Sequence, residues 1–157
     1  MNWSDVLADP CLQDLPYKIE LNQHGAIVMT PASNRHARQQ SRIYDLLNSL
    51  KRSGELIVEC AVGTESGVRV PDVAWMSDSF VAKHGESTPF PRAPELCVEV
   101  VSPSNSRAEM EEKIQLYLDR SAREVWLCSE AGTVEFFDAT GAVDESQLFA
   151  GFPTQIK

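Results

Sequence analysis

The sequence lacks several things that would have set its class at once. None of its four cysteines forms a CxxC pair, and no histidine stands at finger spacing, so a zinc site is not expected. Cys60, Cys97 and Cys128 lie inside apolar, strand-like runs and Cys11 lies outside them, the pattern of reduced and mostly buried thiols. No apolar run approaches a membrane span. The opening MNWSDVLADP has neither a basic start nor an apolar core, so no signal peptide and a cytoplasmic location are expected. Positive charge is scarce: 14 Lys and Arg against 23 Asp and Glu give a net charge of −9. That disfavours a general nucleic-acid binder, while leaving room for a local basic stripe and for acids gathered around a cation. There is no internal repeat, low-complexity segment or linker, and 157 residues make one domain, 1–157, with 43% hydrophobic residues for a core.

What is present reads as a mixed α/β domain around one central sheet. Residues 1–16 are a lead-in, a short helix or loop. YKIEL and AIVM form an N-terminal β-hairpin around Asn22–Gly25, where Gly supplies the turn. Ser33 caps a helix over about Asn34–Ser53, whose stripe is Ile43, Leu46, Leu47 and Leu50. Strands follow at Glu55–Ala61 and Val68–Met76, with a turn at Gly63–Gly67. Ser77–Arg92 is a polar excursion and a candidate lid or substrate-contact loop. Pro94–Ser102 is a core strand. Ser106-x-x-Glu109 matches a capping box and starts a helix to about Ser121, with Met110, Ile114 and Leu118 inward. Strands at Glu124–Cys128 and Val134–Phe137 close the domain before a weakly patterned tail.

Two acids stand where a structural strand needs none. In CVEVV, Cys97, Glu99 and Val101 point one way and Val98 and Val100 the other, which puts Glu99 inside a buried run. Asp72, after Pro71, interrupts a second apolar run. A buried carboxylate needs a cation or a hydrogen-bonding partner. Two on paired strands make an anionic pocket suited to Mg²⁺ or Mn²⁺, to which the backbone carbonyl of Val100 can add a ligand. Lys113 is placed to orient an attacking water or to stabilise phosphorane charge; its other reading is the i,i+4 partner of Glu109. Glu109 is first a capping residue and then a helper at the metal. Tyr117 reads as a packing residue with its hydroxyl at the rim. Glu20 reads as a solvent-facing acid on the hairpin or a further site acid. Arg35, Arg38 and Arg42 share a helix face beside His36, either a phosphate-contacting edge or a solvated face.

The run V-P-D-V-A-W, then P-E-L-C-V-E-V-V-S-P-S, then E-M-E-E-K-I-Q-L-Y, then E-V-W-L resembles the PD-(D/E)xK nuclease superfamily. The branch it resembles is the large bacterial Uma-type group of restriction endonucleases. I-E-L, a turn, V-M-T-P-A-S and R-H agree with that branch's opening, and the likeness covers roughly Tyr17–Cys128. The resemblance makes Asp72 the PD acid and Glu99 the acid of the (D/E)xK element. Val101 stands where that element's lysine belongs, and Lys113 matches the branch's lysine moved into the next helix. Glu109 matches an acidic position one turn earlier, usually Asp. The segment between Glu65 and Pro71 is shorter than usual for the branch. The resemblance implies a restriction-endonuclease-like core, a central mixed sheet flanked by helices, and Mg²⁺-dependent cleavage of phosphodiester bonds in DNA, with a homodimer to cut both strands. The alternative it leaves is a catalytically inactive nuclease-fold binding or assembly module.

Overall fold

Side-chain alternation along residues 96–101 sets the layout of the protein, which a computed structural model describes over all residues 1–157. The chain runs α1 (Trp3–Ala8), a 3₁₀ turn at Pro10–Leu12, β1 (Tyr17–Leu21), β2 (Ile27–Pro31), α2 (Asn34–Leu50), β3 (Glu55–Val58) and β4 (Val62–Thr64). It continues through β5 (Gly67–Arg69), β6 (Val73–Met76), α3 (Asp78–His84), β7 (Leu96–Val101), α4 (Arg107–Asp119), β8 (Glu124–Ser129), β9 (Val134–Asp138) and β10 (Gly141–Val143). Six strands form the main sheet in the order β10-β9-β8-β7-β6-β3. All its pairings are antiparallel except β7 with β8.

That one parallel pair requires a crossover, and α4 supplies it. The helix therefore packs back over the face of β7 that carries Cys97 and Glu99. Met110, Ile114 and Tyr117 are buried there with Ala74, Cys97, Val125 and Leu127. The opposite face carries Leu96, Val98 and Val100 and packs against Ile43 and Leu47 of α2. Each such buried aliphatic side chain contributes about 1.5–3 kcal/mol. Leu50, expected in the same stripe, is exposed in the last turn of α2.

The architecture is the expected α/β one, a mixed sheet flanked by helices with an N-terminal hairpin, but there are two sheets rather than one. The backbone turns left-handed at Glu59 (φ 52°), which ends β3 and sends the chain away from the main sheet. The expected strand Glu55–Ala61 is therefore cut short. Val68–Met76 is likewise divided between β5 and β6, and the expected turn at Gly63–Gly67 overlaps the end of β4 and the start of β5. The smaller sheet has the order β2-β1-β5-β4. Its junction depends on Gly67 (φ 92°), where a Cβ would run into the carbonyl oxygens of Leu21 and Asn22. The hairpin turn is as read: Asn22 Oδ1 accepts the N–H groups of His24 and Ala26, and Gly25 takes φ 71°.

Two further expectations are corrected. Ser77–Arg92 is no lid: Ser77 caps α3, and Phe80 and Phe90 are buried edge-to-face, 5.2 Å between centroids. The tail is part of the core, because Phe149, Phe152 and Ile156 bury against Trp126 and Phe136. Glu124 holds that tail. Its buried carboxylate accepts from Trp126 Nε1 (2.8 Å), Ser146 Oγ (2.7 Å) and the N–H groups of Gln147 and Leu148 (2.7 and 3.0 Å). Cys60, Cys97 and Cys128 are buried and unpaired, Cys11 is exposed, and burial pushes the Cys60 thiol up to about 12.

Candidate active site

The two sheets meet around a cavity of about 420 Å³ lined by Lys18, Glu20, His36, Asp72, Glu99, Val100 and Lys113, among others. Register explains the convergence. Val73 lies opposite Val98 on the α2 side of the sheet, so Asp72, one residue earlier, falls on the α4 side with Glu99. The N–H of Asp72 donates to the Val98 carbonyl at 3.0 Å, fixing the acid at the end of β6. From β1, alternation sends Ile19 and Leu21 into a small core with Val6 and Val68, and Lys18 and Glu20 into the cavity.

Every oxygen of the two central acids has a partner. Asp72 Oδ1 accepts from Lys18 Nζ at 3.1 Å; Oδ2 accepts from the Val100 N–H at 2.7 Å and lies 3.4 Å from His36 Nε2. Glu99 Oε2 accepts from the same Lys18 Nζ at 3.1 Å. Its Oε1 accepts from Tyr117 Oη at 2.8 Å and Lys113 Nζ at 3.2 Å. Lys113 also reaches Glu20 Oε1 at 2.9 Å, and Glu20 Oε2 accepts the Val70 N–H at 2.7 Å.

The electrostatics follow from burial and these contacts. Burial works against the charge on Lys18, but Glu99, then Asp72 and Glu20, outweigh it and hold the ammonium above its ordinary value. Burial opposes ionisation of Asp72 as well, yet Lys18 and the hydrogen bond from His36 bring its carboxyl well below the usual range. Complete burial pushes Glu99 up against the pull of Lys113 and Lys18, and the Asp72 charge adds to the rise. Burial keeps the Tyr117 hydroxyl protonated, so it remains a donor to Glu99. The hydrogen bond to Asp72 raises the His36 imidazole above its ordinary value. Its Nδ1 is buried without a partner.

Asp72, Glu99, Lys113 and Glu20 are thus brought together. Glu20 is buried rather than solvent-facing (5% exposed), and Tyr117 is fully buried rather than at the rim. Val100 lines the cavity and gives its N–H to Asp72. Glu109 is at the mouth; the Ser106 hydroxyl caps its N–H, while its carboxylate accepts from Asn105 Nδ2 (3.4 Å) instead of completing a capping box. Arg35, Arg38 and Arg42 line a separate depression of about 290 Å³ with Gln39, Glu130 and Lys157. Sequence reasoning missed Lys18. The signal was the alternation in YKIEL, where Lys18 and Glu20 share a face, but an edge hairpin suggests solvent on that face.

The donor set fits a hard divalent cation. Two carboxylates converge on one cationic atom, Nζ of Lys18, and one or two carboxylates completed by water or phosphate oxygens is the usual Mg²⁺ complement. The chain brings no cluster of three or more His, Cys, Asp or Glu side chains to a metal-binding geometry.

A family model described as "Putative restriction endonuclease", Uma2, matches residues 8–154. The chain belongs to the Uma2 family. A crystal structure from Anabaena variabilis, described as "a putative nuclease belonging to DUF820", has the same fold. It is 20% identical, the match covers 98% of this chain and 89% of that one, and the TM-score is 0.73. No curated protein matches. The Uma2 chain has no helix long and apolar enough to cross a membrane.

Proposed function

We propose that this Uma2 protein is a Mg²⁺- or Mn²⁺-dependent endonuclease that hydrolyses phosphodiester bonds in DNA. The observation that carries the reading is the convergence of Asp72 and Glu99 on a single cation position, with the Lys113 ammonium on the other oxygen of Glu99. Asp72, Glu99 and the Val100 carbonyl would hold the metal. When bound, it polarises a phosphoryl oxygen and lowers the pKa of a water. Lys113, clasped by Glu99 and Glu20, presents a fixed positive charge to the attacking water and to the developing phosphorane charge. Tyr117 and His36 orient Glu99 and Asp72 from behind. Glu109 is a secondary acid at the mouth. Six carboxylates and three fixed cations line the cavity, which favours entry of a cation before a phosphate. Arg35, Arg38 and Arg42 contact the backbone of the duplex further along, and a homodimer serves both strands.

One observation favours a second reading, a catalytically inactive nuclease-fold module: the Lys18 ammonium already bridges both acids. A plasmid-nicking assay decides between them. Cleavage that needs Mg²⁺ or Mn²⁺ and vanishes in Asp72→Ala supports the enzyme. Equal cleavage by both proteins identifies a contaminant. No cleavage of duplex DNA, single-stranded DNA or RNA by the wild type leaves the binding module.

A further inference from the structure

We propose that Lys18 is a resident counter-ion occupying the metal position, so that a divalent cation loads only by displacing its ammonium. The inference rests on the metal-dependent reading above. Lys18 Nζ is the one cation that touches both Asp72 and Glu99, at 3.1 Å from each. A metal held by the same two carboxylates would compete for the same space. Like charges so close repel strongly, so ammonium and metal exclude one another. The lysine side chain is only 11% exposed, and its backbone is fixed in β1 between β2 and β5. Its placement is part of the fold.

Two consequences separate this from an ordinary salt bridge. The metal-free protein keeps its buried acids compensated and is stable without metal. Metal affinity, in turn, is set below what the two carboxylates could give, because each binding event breaks two charge-assisted hydrogen bonds. An incoming phosphate offers the released ammonium a new counter-charge, which couples metal loading to the presence of substrate.

The test is Mn²⁺ calorimetry on wild type, Lys18→Met, Lys113→Met and Glu99→Gln, with melting temperatures in chelator and in Mn²⁺. Lys113 is the charge-matched control, since its ammonium touches Glu99 but not Asp72. Lys18→Met should bind Mn²⁺ at least about tenfold tighter than wild type, and Lys113→Met no more than about threefold tighter. Lys18→Met should melt below wild type in chelator and recover in Mn²⁺, including the case in which it folds only with Mn²⁺. Equal affinity of wild type and Lys18→Met, or equal tightening by both lysine variants, overturns the displacement while leaving the metal site standing. Absence of Mn²⁺ binding in every protein overturns the metal-dependent reading and this one with it. Should Lys18→Met be unfolded with and without Mn²⁺, the same affinity comparison on Lys18→Gln decides.

Discussion

Glu20 of β1 and Lys113 of α4 are tied across the cavity at 2.9 Å, joining the small sheet to the helix that crosses the large one. The bond fixes the direction of the Lys113 ammonium. Glu20→Gln keeps the size of the side chain and removes that hold. Cleavage should fall about tenfold to a hundredfold, mainly in kcat, with Mn²⁺ affinity nearly unchanged. An equal loss in Lys113→Met and in the double variant would show that the two act as a unit; additive losses would separate them.

His36 gives a pH dependence with a definite sign. Its folded pKa is raised by the hydrogen bond to Asp72. Its stabilising contribution is therefore complete below the unfolded value of about 6.5 and is lost as pH rises through the folded value. In chelator, the melting advantage of wild type over His36→Gln should be largest near about pH 5.5 and shrink above neutrality. A difference that stays flat with pH would remove the imidazolium from the account.

The three arginines of α2 make a separable prediction, because their depression is distinct from the acid cavity. Replacing Arg35, Arg38 and Arg42 by Gln should weaken duplex binding uniformly across sequences. It should also reduce the slope of log affinity against log salt by about one for each arginine that meets a phosphate. Fluorescence anisotropy over a salt series reads both, and an unchanged slope assigns the face to solvent.

Glu124 is a buried acid with a structural task. Glu124→Ala leaves four donors unpaired around the C-terminal tail. The expected cost is about 3 kcal/mol or more in urea denaturation, with metal affinity intact below the transition. A cost under about 1 kcal/mol would show that water replaces the carboxylate.

Asp72 and Glu99 were legible because each breaks a local pattern, an acid inside an apolar strand; Lys113 keeps its helix's pattern and was singled out by the family resemblance. Lys18 and Tyr117 obey their local patterns. A charge alternating on a hairpin and an aromatic on a helix acquire their meaning from what packs against them, here a second sheet at the end of the first. That second sheet was hidden because the chain enters it at one left-handed residue, Glu59, with no Gly or Pro to announce the break, and leaves it at Pro71, inside what reads as one continuous apolar run. Glu124 and the aromatic tail were hidden for a related reason: their partners lie across a turn of irregular chain with no period to read.

The division of the cavity between two hydrogen-bonded units of unequal size has a dynamic consequence. Lys18 and Glu20 belong to the four-stranded unit, whose inner pair β1–β5 is registered at a single residue pair, Leu21 with Val68. Asp72 and Glu99 belong to the six-stranded unit, with two helices over its faces. The smaller unit is the first to open in native-state hydrogen exchange on this reasoning. Each such opening would withdraw Lys18 and Glu20 together and turn Asp72 and Glu99 towards water while the six-stranded core stays folded.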